Sequence, residues 1–194
     1  MNSKSSVPLL LRVAQSCALA MVLPILGFAA DPPPAATPAK PSAEPATIRI
    51  IAGMIDPIKD EAGHTWKPSQ GFEDGQIKER SGLDIANTQI PSIYQSERFG
   101  MTKFVQKLPN RKYTVKLHFA VTYEGITGAG QCVFSMEVEG VKLKNYDVWE
   151  KAGGGLRAHV ESVPVTVTDG QLDIQFTGEG ESSTISAIEI VPTN

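Results

Sequence analysis

The stretch KYTVKLHFAVTYE, residues Lys112 to Glu124, decides the fold. Tyr113, Val115, Leu117, Phe119, Val121 and Tyr123 alternate with Lys112, Thr114, Lys116, His118, Ala120, Thr122 and Glu124. Apolar residues at every second position place one face of a β-strand on a core and the other toward water. β-Branched and aromatic side chains dominate, and neither Gly nor Pro interrupts the run. Wound as a helix, the same apolar positions would scatter around the cylinder. At roughly 3.3 Å per residue the run reaches about 40 Å, a length suited to the middle of a sandwich or barrel. Its last core-parity residue, Tyr123, precedes Gly125-Ile126-Thr127-Gly128-Ala129-Gly130, a loop able to leave the ring at the rim.

Similar signals recur on both sides. Gln131 to Glu139 alternates, with Cys132, Phe134, Met136 and Val138 facing one way, so Cys132 reads as a small core residue. Thr47 to Ile51, Ser92 to Arg98, Met101 to Leu108 and Thr184 to Val191 read as further strands. Val163 to Thr168 and Gln171 to Phe176 flank Asp169-Gly170, which predicts a tight hairpin with positive φ at its central residues. From Met54 to Ile90 the pattern dissolves into turn and charged residues, with Trp66, Phe72 and Leu83 as isolated apolar points. A loop that long inside a compact domain is often functional. No segment carries a sustained helical stripe. The expected fold class is all-β, an antiparallel β-sandwich of jelly-roll type.

The chain has 194 residues, enough for one sizeable core. A formal charge of -3 leaves no basic footprint, which argues against nucleic acid as a partner. Lys4 and Arg12 precede an apolar run, Val13 to Phe28, that exits through Gly27-Phe28-Ala29-Ala30. This predicts a signal peptide over residues 1–30, cleaved near Ala29 or Ala30, and a periplasmic or extracellular product. The run is short for a bilayer span and contains Ser16 and Pro24, so no stable membrane span is expected. Residues 31–46, DPPPAATPAKPSAEPA, lack large apolar side chains and read as an extended linker before a domain over 47–194. Cleavage would leave Cys132 as the one cysteine and hence no internal disulfide.

No catalytic signature emerges. His64, His118 and His159 lack metal-ligand spacing, and His118 falls on the polar face of the central run, where an exposed or inter-sheet position is expected. There is no Gly-x-Ser-x-Gly elbow, and Gly153-Gly154-Gly155 is not followed by Lys. Asp56, Asp60 and Glu61 lack the spacing of a calcium loop. Neither a cofactor nor enzymatic activity is expected. The distinctive feature is aromatic residues at strand ends or beside glycines: Tyr94, Phe99, Tyr123, Tyr146 and Trp149. Such rings give rigid amphipathic contact area, and a pyranose packs its C–H face on them while its hydroxyls bond carboxylates, amides and Arg.

The order of motifs resembles the malectin family. Ile50-Ile51-Ala52-Gly53 is followed by Tyr94-Gln95-Ser96-Glu97-Arg98-Phe99-Gly100, the most specific block, and by Lys112 to Ala120. Val133 to Gly140, Tyr146-Asp147-Val148, the turn at Asp169-Gly170 and Ile185 to Ile190 complete it. The resemblance implies a galactose-binding-like β-sandwich and a non-catalytic, carbohydrate-binding role. It also implies a glucan-type oligosaccharide as ligand and a glycoside hydrolase or other exported protein as partner. By position it implies sugar contacts from Tyr123, from Phe99, which stands where the family has a tyrosine, from Glu124, which stands where it has a second aromatic, and from the acidic Glu181. A further family tyrosine falls in the Met54 to Ile90 loop, with Phe72 or Asp74 as its counterpart. The alternative is a structural or adhesive sandwich that binds a protein and has lost the sugar site.

Overall fold

The computed structural model describes residues 46–178 and 183–193; residues 1–45 and Glu181 lie outside the described residues. Strands run in the order β1 (Ile48–Ile51), β2 (Ile58–Lys59), β3 (Thr65–Trp66), β4 (Gln76–Glu79), β5 (Ser96–Phe99), β6 (Lys103–Lys107) and β7 (Arg111–Phe119). They continue as β8 (Val133–Val138), β9 (Val141–Asp147), β10 (His159–Val167), β11 (Gln171–Gly178), β12 (Thr184–Ile185) and β13 (Ala187–Pro192). A 3-10 turn covers Pro91–Tyr94, and one short helix, α1, covers Val148–Ala152. No helix among the described residues is long and apolar enough to cross a membrane.

Two antiparallel four-stranded sheets, β1-β13-β7-β10 and β6-β11-β8-β9, form the sandwich. The alternation of β7 accounts for its place at the centre. Tyr113, Val115, Leu117 and Phe119 are buried against Phe134, Met136, Val138, Leu172, Ile174 and Phe176 of the opposite sheet. β7 ends at Phe119, earlier than its alternation predicts, because both neighbours run out there. Phe119 pairs with His159, the first residue of β10, and His118 pairs with Ala187, the first of β13. Residues 120–124 therefore continue as a loop, with Val121 still buried and Tyr123 released to 54% exposure.

The hairpin expected at Asp169-Gly170 is not one. β10 pairs with β7 in one sheet, while β11 pairs with β6 and β8 in the other. The turn is a corner between sheets, so Val163, Val165 and Val167 face Leu172, Ile174 and Phe176 within one core. Of the two turn residues only Gly170 has positive φ, at 90°. Its carbonyl accepts from Leu108 N, and Asp169 Oδ1 accepts from Gln171 N. The dipeptide encodes the bend; long-range pairing of the flanking valines decides which strands meet.

The long excursion between β1 and β5 covers the outer face of the first sheet. Trp66, Ile85, Ile93 and Tyr94 pack there with Ile51, Ala120, Ala158 and Ala187 as a second core. His118, expected to be exposed or between the sheets, lies under this cover at 5% exposure. Its Nδ1 is 2.8 Å from the Tyr94 hydroxyl, and its ring meets Trp66 edge-on at 5.4 Å between centroids. The excursion supplies an apolar lid that turns the polar face of β7 into a second buried layer. The strand expected from Ser92 begins only at Ser96, since Pro91 fits the first turn of the Pro91–Tyr94 segment.

Candidate functional site

Beyond the end of β7 a third sheet, β12-β5-β4, forms one wall of a cleft. Alternation along β5 sends Glu97 and Phe99 to one side and Arg98 to the other. Arg98 donates to the Ser69 hydroxyl and the Asp74 and Gly75 carbonyls, pinning the loop before β4. Glu97, itself buried, binds the half-buried Arg80 as an ion pair, and its other oxygen accepts from Thr184 Oγ1 at 3.1 Å. Phe99 pairs in register with Thr184 and Gln76. The Tyr-Gln-Ser-Glu-Arg-Phe block thus has a structural account. Tyr94 anchors the second core, Gln95 bonds the Leu83 carbonyl, Glu97 and Arg98 tie down opposite loops, and Phe99 lines the cleft.

The opposite wall is the 120–132 loop. Tyr123 O accepts from Ile126 N, closing a turn in which the tyrosine ring folds back over Gly125. A Cβ at Gly125 would stand 2.5 Å from the ring, so this ring position requires glycine. The Arg80 guanidinium sits 5.7 Å from the Tyr123 ring centroid, a cation–π contact that links the two walls. Gln131 Oε1 accepts from Thr127 N and Gly128 N. Asp147 secures the far end: one oxygen caps α1 by accepting from Trp149 N and Glu150 N, and the other accepts from Gly130 N at 2.6 Å. α1 in turn holds Trp149 at the rim.

Two cavities share Tyr123 in their lining. The smaller, about 530 Å³, is lined by Phe99, Glu97, Thr184, Gln131 and Cys132. The larger, about 870 Å³, is lined by Lys78, Leu83, Glu124, Trp149 and Leu156. Arg80, Val121, Thr122, Tyr123 and Ile126 belong to both. Thr122 is buried, and its Oγ1 has no hydrogen-bond partner among the described residues. Burial pushes the Cys132 thiol up to about 12, helped by the Glu97 and Asp147 carboxylates, so the thiol is a wall and not a nucleophile. No group of three or more His, Cys, Asp or Glu among the described residues can hold a metal ion. An exposed ring over a mixed apolar and hydrogen-bonding floor can bind a flat, hydroxyl-rich ligand.

Of the residues expected at a sugar site, Tyr123 and Phe99 meet in the smaller cavity and Glu124 lines the larger. Glu181 lies outside the described residues. Phe72 and Asp74 lie elsewhere: Phe72 packs on Phe104 and Arg98, and Asp74 binds Thr102. Tyr94 and Tyr146 are buried, and of the five strand-end aromatics Phe99, Tyr123 and Trp149 line the cleft. Sequence reasoning missed Arg80, Thr184 and Leu156. Glu97 alone carried a signal, since strand parity puts it on the face of Phe99.

The family model for the malectin domain matches residues 46–191. No curated protein matches the chain. Among solved structures, Bacteroides uniformis beta-glucuronidase is 17% identical with a TM-score of 0.66, over 77% of this chain and 18% of that one. The ANXUR2 extracellular domain from Arabidopsis thaliana is 17% identical with a TM-score of 0.65, over 76% of this chain and 48% of that one. A complex of the plant peptide RALF23 with FER and LLG2 contains a chain 15% identical with a TM-score of 0.65, over 76% of this chain and 48% of that one. At such identities the likeness is one of fold, and this chain spans half or less of each of these relatives. With the family model matching residues 46–191, well over half of the chain, the chain belongs to the malectin domain family.

Proposed function

We propose that the protein is an exported, non-catalytic carbohydrate-binding module that takes a glucose-containing oligo- or polysaccharide in the Tyr123 cleft. Malectin domains are binding domains, and the cleft offers what a sugar uses. The observation that carries the reading is the Tyr123 ring, 54% exposed, held over Gly125 and lining both cavities. A pyranose stacks on that ring and on Phe99. Its hydroxyls bond Arg80, Glu97 and Gln131, which line the same cavity. The test is calorimetric titration with glucans of several linkages. Tyr123→Ala is expected to weaken binding by about 1–3 kcal/mol, the range for a well-packed interface aromatic. Phe119→Ala, fully buried in the main core, is expected to cost about 3–5 kcal/mol of stability. Equal glucan affinity in wild type and Tyr123→Ala would refute the reading.

A second reading is a module that docks an exported protein, a glycoside hydrolase among the candidates. FER, a structural relative, occurs in complex with the peptide RALF23. Glu124 places a carboxylate where the family carries an aromatic, which suits a peptide as well as a sugar. Binding of a peptide or protein partner that survives Tyr123→Ala, with no glycan bound at all, favours this reading over the first.

A further inference from the structure

The cleft continues past Tyr123. Phe99 lines the smaller cavity and not the larger, and Leu83, Trp149 and Leu156 line the larger and not the smaller. Leu156 is the anomaly. Its φ is 53°, a left-handed conformation that disfavours any side chain, and it is 39% exposed and belongs to neither core. Glycine occupies other left-handed positions of the same turn, Gly153 and Gly154. The backbone at Leu156 is held by Leu156 N donating to Val121 O and Ala86 N donating to Leu156 O, each at 2.9 Å. Those bonds need no side chain, so they account for the conformation and not for the leucine. Strain of this kind costs stability and clusters at ligand clamps and active sites, and here it is retained at an exposed apolar side chain that lines a cavity. Trp149 lies over Gly155, the residue before Leu156, where a Cβ would stand 3.0 Å from the indole, and it lines the same cavity.

We propose that Leu156 and Trp149 form a second sugar subsite, so that the cleft takes an oligosaccharide lying across Tyr123. One unit rests against Phe99 and the next against Leu156 and Trp149. The inference rests on the carbohydrate reading and adds the length of ligand and the residues that select it. The two compartments share five lining residues, Tyr123 among them, so they are neighbours along one cleft. The apolar wall takes the C–H face of the second unit, while Lys78, Ser81 and Glu124 are placed for its hydroxyls.

The test compares methyl glucoside with two- and three-unit glucose oligomers in α-1,4, β-1,4 and β-1,3 linkage. Each is titrated into wild type, Leu156→Gly, Leu156→Asn and Leu156→Met. In wild type at least one oligomer is expected to bind about tenfold or more tighter than methyl glucoside, the gain from one further well-packed contact. That ratio should fall toward one in Leu156→Gly and Leu156→Asn, which relieve or tolerate the left-handed backbone, and return in Leu156→Met. The melting temperature of Leu156→Gly should equal or exceed that of wild type, because a strained residue has been relaxed. A wild-type ratio near one, or a ratio undiminished in both the Gly and Asn variants, overturns the second subsite and leaves the Tyr123 cleft standing. If no probe binds wild type, the carbohydrate reading itself falls and the subsite with it.

Discussion

Acidification should weaken the fold through one histidine. Burial holds His118 down at about 4, from an ordinary value of 6.5; Glu189 opposes that shift, and Lys116 and Arg49 reinforce it. The unfolded chain therefore takes up a proton near pH 6.5 that the folded chain refuses until about pH 4. Between those values the unfolded state binds more protons, so stability rises with pH. The contribution of neutral His118 is complete above about pH 6.5 and is lost as the pH falls toward 4. At about 1.4 kcal/mol per pH unit, the loss across the window approaches about 3 kcal/mol. The surroundings explain why the proton is refused. Above the ring sit Trp66 and the Tyr94 hydroxyl, 2.8 Å from Nδ1, whose own acidity burial suppresses. Asp60 and His64 from the excursion, and Glu189, Lys116 and Arg49 from the sheet, line the adjoining cavity. The two carboxylates titrate lower. Burial raises Asp60, but bonds from Trp66 and His64 outweigh it; burial raises Glu189, but Lys116 and Arg49 outweigh it. Their losses set in only below their ordinary values of 4.5 for Glu189 and 3.8 for Asp60, at the foot of the histidine window. The assay is urea unfolding followed by tryptophan fluorescence at pH 7.5, 6.5, 5.5 and 4.5, for wild type and His118→Gln. Wild type should lose about 2–3 kcal/mol over this range, and the variant should show a much flatter profile. Parallel profiles would refute the assignment of acid sensitivity to His118.

Other perturbations test the cleft and its supports. Glu97→Ala strips Arg80 and Thr184 Oγ1 of their buried partner, so a loss of about 3–5 kcal/mol in denaturant unfolding is expected. Asp147→Ala removes the α1 cap and the bond from Gly130 N together; roughly 2–3 kcal/mol should be lost, with faster amide exchange in the 125–131 loop as the local signature. Gly170→Val places a branched side chain at φ 90°, which should lower stability by about 1–3 kcal/mol. An unchanged denaturation midpoint would mean the corner is assigned wrongly. N-terminal sequencing of exported protein should begin near Ala30 or Asp31, and an intact Met1 on a membrane-bound product would contradict processing.

The sandwich was legible because its signals are local and repeated. The alternations of Tyr113 to Phe119 and of Phe134 to Val138 each name a buried face without help from the rest of the chain. Pairing was less so. Asp169-Gly170 announces a bend, but the sheet that each flanking strand joins depends on β6, β7 and β8, all distant in sequence. His118 shows the same limit: parity puts it on the outer face of β7, and only the cover of Trp66 and Tyr94 makes that face an interior. At the site, Tyr123 and Phe99 were readable from strand ends and motif order. Arg80 and Leu156 come from segments without periodicity, and their roles follow from tertiary contacts: an ion pair to Glu97, and a backbone held by Val121 and Ala86.

The most direct test of the account is backbone amide chemical-shift mapping of the domain during titration with the glucan oligomer that binds it best. The largest changes should fall on Val121 to Ile126, Arg80 and Glu97 to Phe99, with a second group at Gly155 and Leu156. Changes centred instead on the cavity of His64, Lys116 and Glu189, or spread evenly with no cluster at Tyr123, would contradict it.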